Sequence, residues 1–177
     1  MIPGKTRLLV DAVAFAAYKH RRQRRKDKEA SPYINHPIAL ARVLSVEVGL
    51  SDPVLLAAAV LHDTLEDTET TFEELKERFG AQVASIVLEV TDDKTLPKKE
   101  RKRLQIRHAA HLSRRAKLVK LADKICNLRD MGAHPPQGWS IERRRKYFDW
   151  ASEVIGQLRG VHPELERRFD EVSALRP

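Results

Sequence analysis

A single cysteine, Cys126, leaves this 177-residue chain with no partner for an intrachain disulfide. A reducing compartment is the simplest setting, and a cysteine-based zinc site is excluded. The chain also lacks an uninterrupted apolar run: Leu8 to Ala17 is broken by Asp11 and passes into a basic segment, which marks an amphipathic helix and neither a signal peptide nor a membrane span. No stretch alternates in polarity long enough to build a sheet. No internal repeat recurs, and no linker is long enough to separate two domains. The cytoplasm is therefore the expected location, no membrane partner is expected, and one all-α domain over residues 1–177 is the expected organisation. A hydrophobic content of 42% suffices to fill its core.

Charge is abundant and unbalanced. Lysine and arginine total 33 against 25 aspartate and glutamate, giving +8 and a pI near 9.8, which points to an anionic partner. Residues 1 to 30 hold nine basic side chains, among them the "HRRQRRK" run, and three acidic ones. Nucleic acid is not the expected partner, because no interleaved surface aromatics and no RNA-binding motif accompany the charge.

Helix signals run nearly the length of the chain. Leu9, Ala12, Val13, Ala16 and Ala17 recur at helical spacing, and Asp27 to Pro32 breaks the pattern as a loop. Pro37 reads as a first-turn proline, with Ile38, Ala41, Val43 and Leu44 as the buried stripe until Gly49. Ser51 and Pro53 open the next helix, Thr70 with Glu73 resembles a capping box, and Gly80 fits a C-terminal position. Val83, Ile86, Val87 and Val90 mark a helix ending near Thr91, and Pro97 opens a strongly basic one. Residues 114 to 130 form an amphipathic helix, Gly132 to Ser140 a loop, Phe148 to Leu158 a long helix, and Leu165 to Leu175 a terminal one.

The segment "LHDTLEDT", residues 61 to 68, ends the most apolar of these helices with His62 and Asp63. Glu66 lies four residues past His62 and Asp67 four past Asp63, so on a continuous helix they share one face across adjoining turns. Ionisable groups at the deep end of a core helix need a metal ion or a hydrogen-bond network to compensate them. A divalent cation is the economical answer. Alone, the His-Asp pair also reads as a chance dipeptide, with Glu66 and Asp67 capping the helix that follows.

Two further segments offer ligands. His36 in "YINHP" precedes a proline at a helix start, where it reads either as an inward-pointing imidazole or as a capping histidine. In "KLVKLADKICNL", Leu118, Leu121, Ala122, Ile125 and Leu128 form an apolar stripe while Lys120, Asp123, Asn127 and Asp130 line a polar one beside it. Asp123 there is either a site residue or half of a Lys120 ion pair. A mixed nitrogen and oxygen site of this kind suits manganese, iron or zinc, with positions open for water.

In this order, "YINHP", "LHDTLEDT" and "KLVKLADKICNLRDM" resemble the HD-domain metal phosphohydrolases, specifically the hydrolase domain of the RelA/SpoT alarmone enzymes and their stand-alone small alarmone hydrolases. The likeness runs from "HRRQRRK" through "WSIERRRKYFDWA", most of the chain. It implies an all-α HD fold, metal ligands at His36, His62, Asp63 and Asp123, and a catalytic acidic pair at Glu66 and Asp67. It further implies removal of the 3′-pyrophosphate of ppGpp or pppGpp, with Mn2+ as the usual single metal and Fe2+ or Zn2+ as alternatives. The chain stops before the synthetase and regulatory domains of the long enzymes, so hydrolysis alone is expected.

Departing pyrophosphate is strongly anionic, and cations aimed at its oxygens stabilise the transition state. Arg25, Lys26 and Lys98 are candidates, with Arg143 and Tyr147, one helical turn apart, as another edge. By the resemblance, Tyr33 and Asn127 contact the nucleoside, and Lys26 lies against the base. Plainer readings stand beside these: a solvated basic face, a core tyrosine, and an Arg143 paired with Glu142 or Asp149. Other functions also stay open, namely an NADPH 2′-phosphatase or related HD nucleotide phosphohydrolase, a nonenzymatic alarmone sensor, and an RNA-binding module. Cys126 reads by default as a small buried hydrophobe. The sequence carries no signal for an oligomeric state.

Overall fold

In the computed structural model, which describes residues 4–177 apart from the side chain of Lys5, ten α-helices form and no sheet is present among the described residues. The first three residues of the expected 1–177 domain lie outside the described residues. None of the described helices is long and apolar enough to cross a membrane. The fold class is all-α, as the apolar spacing requires. Backbone contacts gather the chain into two compact units: the described residues up to Gln23 together with Pro32–Asp92, and Arg24–Ser31 together with Asp93–Pro177.

The first unit holds α1 (Gly4–Lys19), α2 (Asn35–Arg42), α3 (Pro53–Leu61), α4 (Thr64–Asp67), α5 (Phe72–Phe79) and α6 (Ala81–Val90). Helix α3 is its axis. Every residue from Leu55 to Leu61 is buried, as expected of a helix that is apolar all round, and α1, α2 and α6 pack against it. Each large side chain sealed there stabilises the unit by roughly 1.5–3 kcal/mol. The helix starts where the Asp52 carboxylate accepts from the Val54 and Leu55 amides, at 3.0 and 3.4 Å, with Pro53 at the first helical position. Both groups suit a helix start, one by capping free amides and the other by having no amide to cap.

Two expectations shift within this unit. Helix α2 begins at Asn35 with Pro37 in its first turn, as read, but its buried stripe runs through Pro37, Leu40, Val43 and Leu44 while Ile38 is exposed. A wider π turn over Val43–Glu47 continues α2. The cap of α5 is Thr71, accepting from the Glu74 amide at 3.1 Å, one residue later than the Thr70–Glu73 reading; the Thr70 hydroxyl instead meets that of Thr68 at 2.7 Å. Gly80 does close α5, at φ 88°, and α6 starts directly after it. A side chain at that positive φ would strain the corner.

The second unit is built from α7 (Lys98–Ala109), α8 (Arg114–Ala133), α9 (Ile141–Gly156) and α10 (Pro163–Ser173), with the loop Arg24–Ser31. Helix α8 is central to it, burying Leu118, Leu121, Ala122, Ile125, Cys126 and Leu128 against α9 and α10, while α7 packs on α9. It runs three residues past the expected Asp130, so the following loop starts at His134 and not at Gly132. In the Arg24–Ser31 loop, Asp27 accepts from the Ser31 hydroxyl at 2.6 Å and from the Glu29 and Ser31 amides. The Ser31 bond is the main reason its carboxyl sits below the usual range.

Candidate functional site

Leu61 is the last residue of α3. His62 keeps helical angles, but Asp63 stands at φ −100° and ψ 1°, and the chain restarts as α4 one residue later. The buried Thr64 hydroxyl donates back to the Leu61 carbonyl at 2.7 Å, covering an acceptor that the break exposes. The expectation of one continuous helix face over His62–Asp67 is thus corrected. A corner separates the His-Asp pair from the Glu-Asp pair.

That corner aims His62. Its Nδ1 lies 2.8 Å from the Ala59 carbonyl, and a carbonyl only accepts, so Nδ1 carries the proton and Nε2 presents its lone pair. Nε2 is 2.8 Å from Asp63 Oδ2. Two lone-pair atoms this close need a cation or a proton between them. The His36 and His62 rings meet edge to face at 5.3 Å between centroids, both rings are buried, and their ligand nitrogens come within 4.8 Å of each other. Two buried histidine nitrogens and a carboxylate oxygen drawn close, with one histidine fixed by a backbone carbonyl, fit a divalent metal.

Tyr33, expected to touch the nucleoside, is buried in this unit and donates its hydroxyl to Asp63 Oδ2. Its ring centre is 4.8 Å from that of His20 and 5.9 Å from that of His36.

The two acids of α4 have different surroundings. Burial is the main force pushing the Glu66 carboxyl up, to about 7; a hydrogen bond from the Asp92 amide opposes it, and the charges of Asp63, Asp92 and Asp67 add to the rise. The Asp92 amide donates to Glu66 Oε2 at 3.1 Å. Asp67 Oδ2 accepts from Gln23 Nε2 at 2.7 Å. A carboxyl that titrates near neutrality can pass a proton in either direction at working pH.

In the second unit, Asp123 lies on α8 between Lys124, whose Nζ is 3.0 Å from Oδ2, and Asn127, whose Nδ2 donates to Oδ1 at 2.6 Å. Lys124 is thus a close cation at Asp123. Arg25 donates to Asp130 Oδ2 at 2.6 Å and to Asn127 Oδ1 at 3.4 Å, which joins Asp130, Arg25, Asn127, Asp123 and Lys124 in one network. Lys26 is exposed, and its carbonyl accepts from the Gln137 amide at 2.9 Å.

Lys98, Arg143 and Tyr147 gather around Trp139. The Arg143 guanidinium lies 4.0 Å and Lys98 Nζ 5.8 Å from its ring centre, and Tyr147 packs at 6.1 Å. Burial first, and then the positive charges of Arg143, Lys26 and Arg101, lower the Lys98 pKa. Lys102, Trp139 and Trp150, which sequence reasoning passed over, join this group: Lys102 Nζ sits 4.4 Å from the Trp150 ring centre, and the Trp150 ring meets Tyr147 at a tilt, 5.3 Å between centroids. The signal was available, since Lys98 and Lys102 are four residues apart on α7, and Tyr147 and Trp150 three apart on α9.

Comparison with known proteins sets these geometries in a family. The HD domain family matches residues 12–147. A guanosine-3′,5′-bis(diphosphate) 3′-pyrophosphohydrolase named MESH1 from Xenopus tropicalis is 59% identical over 165 residues, 93% of this chain and 92% of that protein. The Homo sapiens protein of the same name is 59% identical over 158 residues, 89% of this chain and 88% of its own length. A solved structure of a metazoan SpoT orthologue that hydrolyses ppGpp superposes with a TM-score of 0.93 at 49% identity, covering 99% of this chain and 97% of that one. The chain belongs to the HD domain family, in its branch of 3′-pyrophosphohydrolases.

Proposed function

We propose that this protein is a metal-dependent guanosine-3′,5′-bis(diphosphate) 3′-pyrophosphohydrolase, converting ppGpp to GDP, and pppGpp to GTP, with release of pyrophosphate. The observation that carries the substrate is the 59% identity, over 93% of the chain, to a relative bearing that name. The close approach of the His36 and His62 nitrogens, the Asp63 Oδ2 that lies 2.8 Å from His62 Nε2, and a carboxyl titrating near 7 support the chemistry. Residues 1–177 act as one hydrolase domain in this reading, because the family match spans 12–147. The lone buried Cys126 supports a reducing, cytoplasmic setting.

The metal ligands we assign are His36, His62, Asp63 and, by its place in the "KLADKICNL" motif, Asp123, with Mn2+ as the ion. When bound, a divalent cation supplies Lewis-acid polarisation of a phosphoryl oxygen and acidifies water. The chain's own residues then align and move protons. Asp67, held by Gln23, orients the attacking water in line with the 3′-phosphorus. Glu66, protonatable near neutrality, hands a proton to the ribose 3′-oxygen as the bond from phosphorus to that oxygen breaks. Water contributes its oxygen to the pyrophosphate that leaves, and the proton it sheds returns to Glu66. Lys98 and Arg143 neutralise charge on the departing group, Tyr147 walls it, and Arg25, Lys26, Tyr33 and Asn127 complete the proposed substrate contacts.

Phosphorus NMR of the products tests the reading. GDP with intact pyrophosphate, formed by the Mn2+-loaded protein and not by the chelated one, is the expected result. Release of single phosphate from ppGpp refutes the cleavage position, and exclusive turnover of NADPH to NADH overturns the substrate.

A further inference from the structure

Beside Asp67, in the stretch read from sequence as a solvated basic face, two side chains turn inward. His20 is only 2% exposed, and its Nδ1 lies 2.6 Å from Gln23 Oε1. Gln23 Nε2 in turn donates to Asp67 Oδ2 at 2.7 Å. The direction of this chain is set by its end. An Asp67 carboxylate only accepts, so the amide must present its NH2 to Asp67 and its oxygen to His20, and His20 must carry a proton on Nδ1. His20 Nε2, buried with no hydrogen-bond partner, gains nothing from the other tautomer.

The backbone holds the same geometry. The Gln23 amide donates to the His20 carbonyl at 2.9 Å, and the Gln23 carbonyl accepts from the Tyr33 amide at 3.2 Å. The His20 ring also packs, at a tilt of 38°, against Tyr33, the donor to Asp63. One buried ring thus buttresses two of the acids at the α3–α4 corner.

We infer that His20 and Gln23 are positioning residues for the reaction: His20 fixes the rotamer of the Gln23 amide, and Gln23 fixes the Asp67 carboxylate against the attacking water. The inference rests on the proposed role of Asp67. Hydrogen-bonded partners of metal ligands typically contribute 10- to 100-fold to metal affinity or activity, and by the same reasoning an effect of roughly that size is expected in kcat for the partners of Asp67.

The test separates positioning from packing at one residue. His20→Asn keeps an N–H near the Nδ1 position and discards the ring, whereas His20→Phe keeps a ring against Tyr33 and discards the donor. Positioning predicts kcat near the parent for His20→Asn and a roughly 10- to 100-fold loss for His20→Phe and Gln23→Leu. KM and bound Mn2+ stay at parental values. The double variant Gln23→Leu/Asp67→Asn should be no slower than Asp67→Asn alone, because Gln23 acts only through Asp67.

A parental kcat in Gln23→Leu alongside an inactive Asp67→Asn overturns the inference and leaves the role of Asp67 standing. The reverse ranking of His20→Phe above His20→Asn overturns it in favour of packing. A parental kcat in Asp67→Asn instead overturns the reading of Asp67 on which the inference rests. If a His20 variant does not fold, the Gln23→Leu rate and the double variant still decide.

Discussion

At the scale of single residues, the most distinctive group is Glu66, because its environment favours the protonated form. Burial leads, and three neighbouring carboxylates reinforce it, so its pKa stands at about 7 against 4.5 for a free side chain. The folded, metal-free protein therefore holds a proton there that the unfolded chain has lost between those values. Stability from this group is fully present below pH 4.5 and falls as pH rises through 7. Glu66→Gln should flatten that decline and leave the chelated protein more stable than its parent at pH 8, by on the order of 1 kcal/mol once screening at a part-exposed carboxyl is allowed for. Melting curves in chelator from pH 4.5 to 8 check it, and equal slopes for variant and parent contradict the assignment. The same substitution should remove most turnover while leaving Mn2+ binding intact. The acidic pair and the His-Asp pair were legible in sequence because each consists of residue types that a core rarely tolerates unpaired. His20 and Gln23 were not, since five neighbouring cations in "HRRQRRK" made the whole run look solvated. Only the fold shows which of its side chains turn inward. Tyr33 was assigned to substrate by resemblance; what the fold shows is its hydroxyl donating to Asp63.

At the scale of elements, the reading of helices from apolar spacing was close, and the errors share a cause. Periodicity reports a face but not a break: residues four apart remain neighbours whether α3 continues or turns at Asp63, so the corner before Thr64 left no mark on the pattern. Boundaries failed by one residue where equivalents stood side by side, as in "TETT", where Thr71 and not Thr70 caps α5. The Asp52 cap offers a clean separation of fold from function. Removing its two amide contacts in Asp52→Ala should cost about 1 kcal/mol, lowering Tm while leaving kcat and metal affinity unchanged, because the other end of α3 carries His62. A fall in kcat at full occupancy with folded protein would instead tie the start of α3 to the chemistry. Helices α7 and α9 make the complementary case. Lys98 and Arg143 are exposed, so Lys98→Gln and Arg143→Gln should shift stability by about 1 kcal/mol or less. Their effect belongs in the kinetics: a rise in KM alone marks uniform binding of the phosphates, and an equal fall in kcat and kcat/KM marks a contact made only in the transition state. Unchanged kinetics in both variants would remove them from the proposed phosphate site.

At the scale of the whole molecule, a chain of net charge +8 holds one local cluster of carboxylates and one local cluster of cations. The α3–α4 corner concentrates Asp63, Glu66 and Asp67, while the Trp139 wall concentrates Lys98, Lys102 and Arg143. Like charges held close destabilise each neighbourhood, and a bound ligand of opposite charge relieves the strain. For the acidic corner the proposed ligand is the metal, so metal binding can be followed as a stability measurement alongside activity. An ion that binds the folded chain and not the unfolded one stabilises it by roughly 2.7 kcal/mol at a hundredfold excess over Kd. For a chain of 177 residues, each kcal/mol moves Tm by about 2–4 °C, so saturating Mn2+ should raise Tm by roughly 5–10 °C. His62→Ala should abolish that rise and turnover together, since its Nε2 is aimed at Asp63 by the Ala59 carbonyl. Glu66→Gln should keep the rise, because Glu66 is assigned to proton transfer and not to coordination. Asp123→Ala decides the remaining ligand: loss of the rise places Asp123 on the metal, whereas an undiminished rise confines the ligand set to His36, His62 and Asp63. A protein whose Tm ignores Mn2+ yet cleaves ppGpp fully in chelator would refute the metal-dependent reading outright.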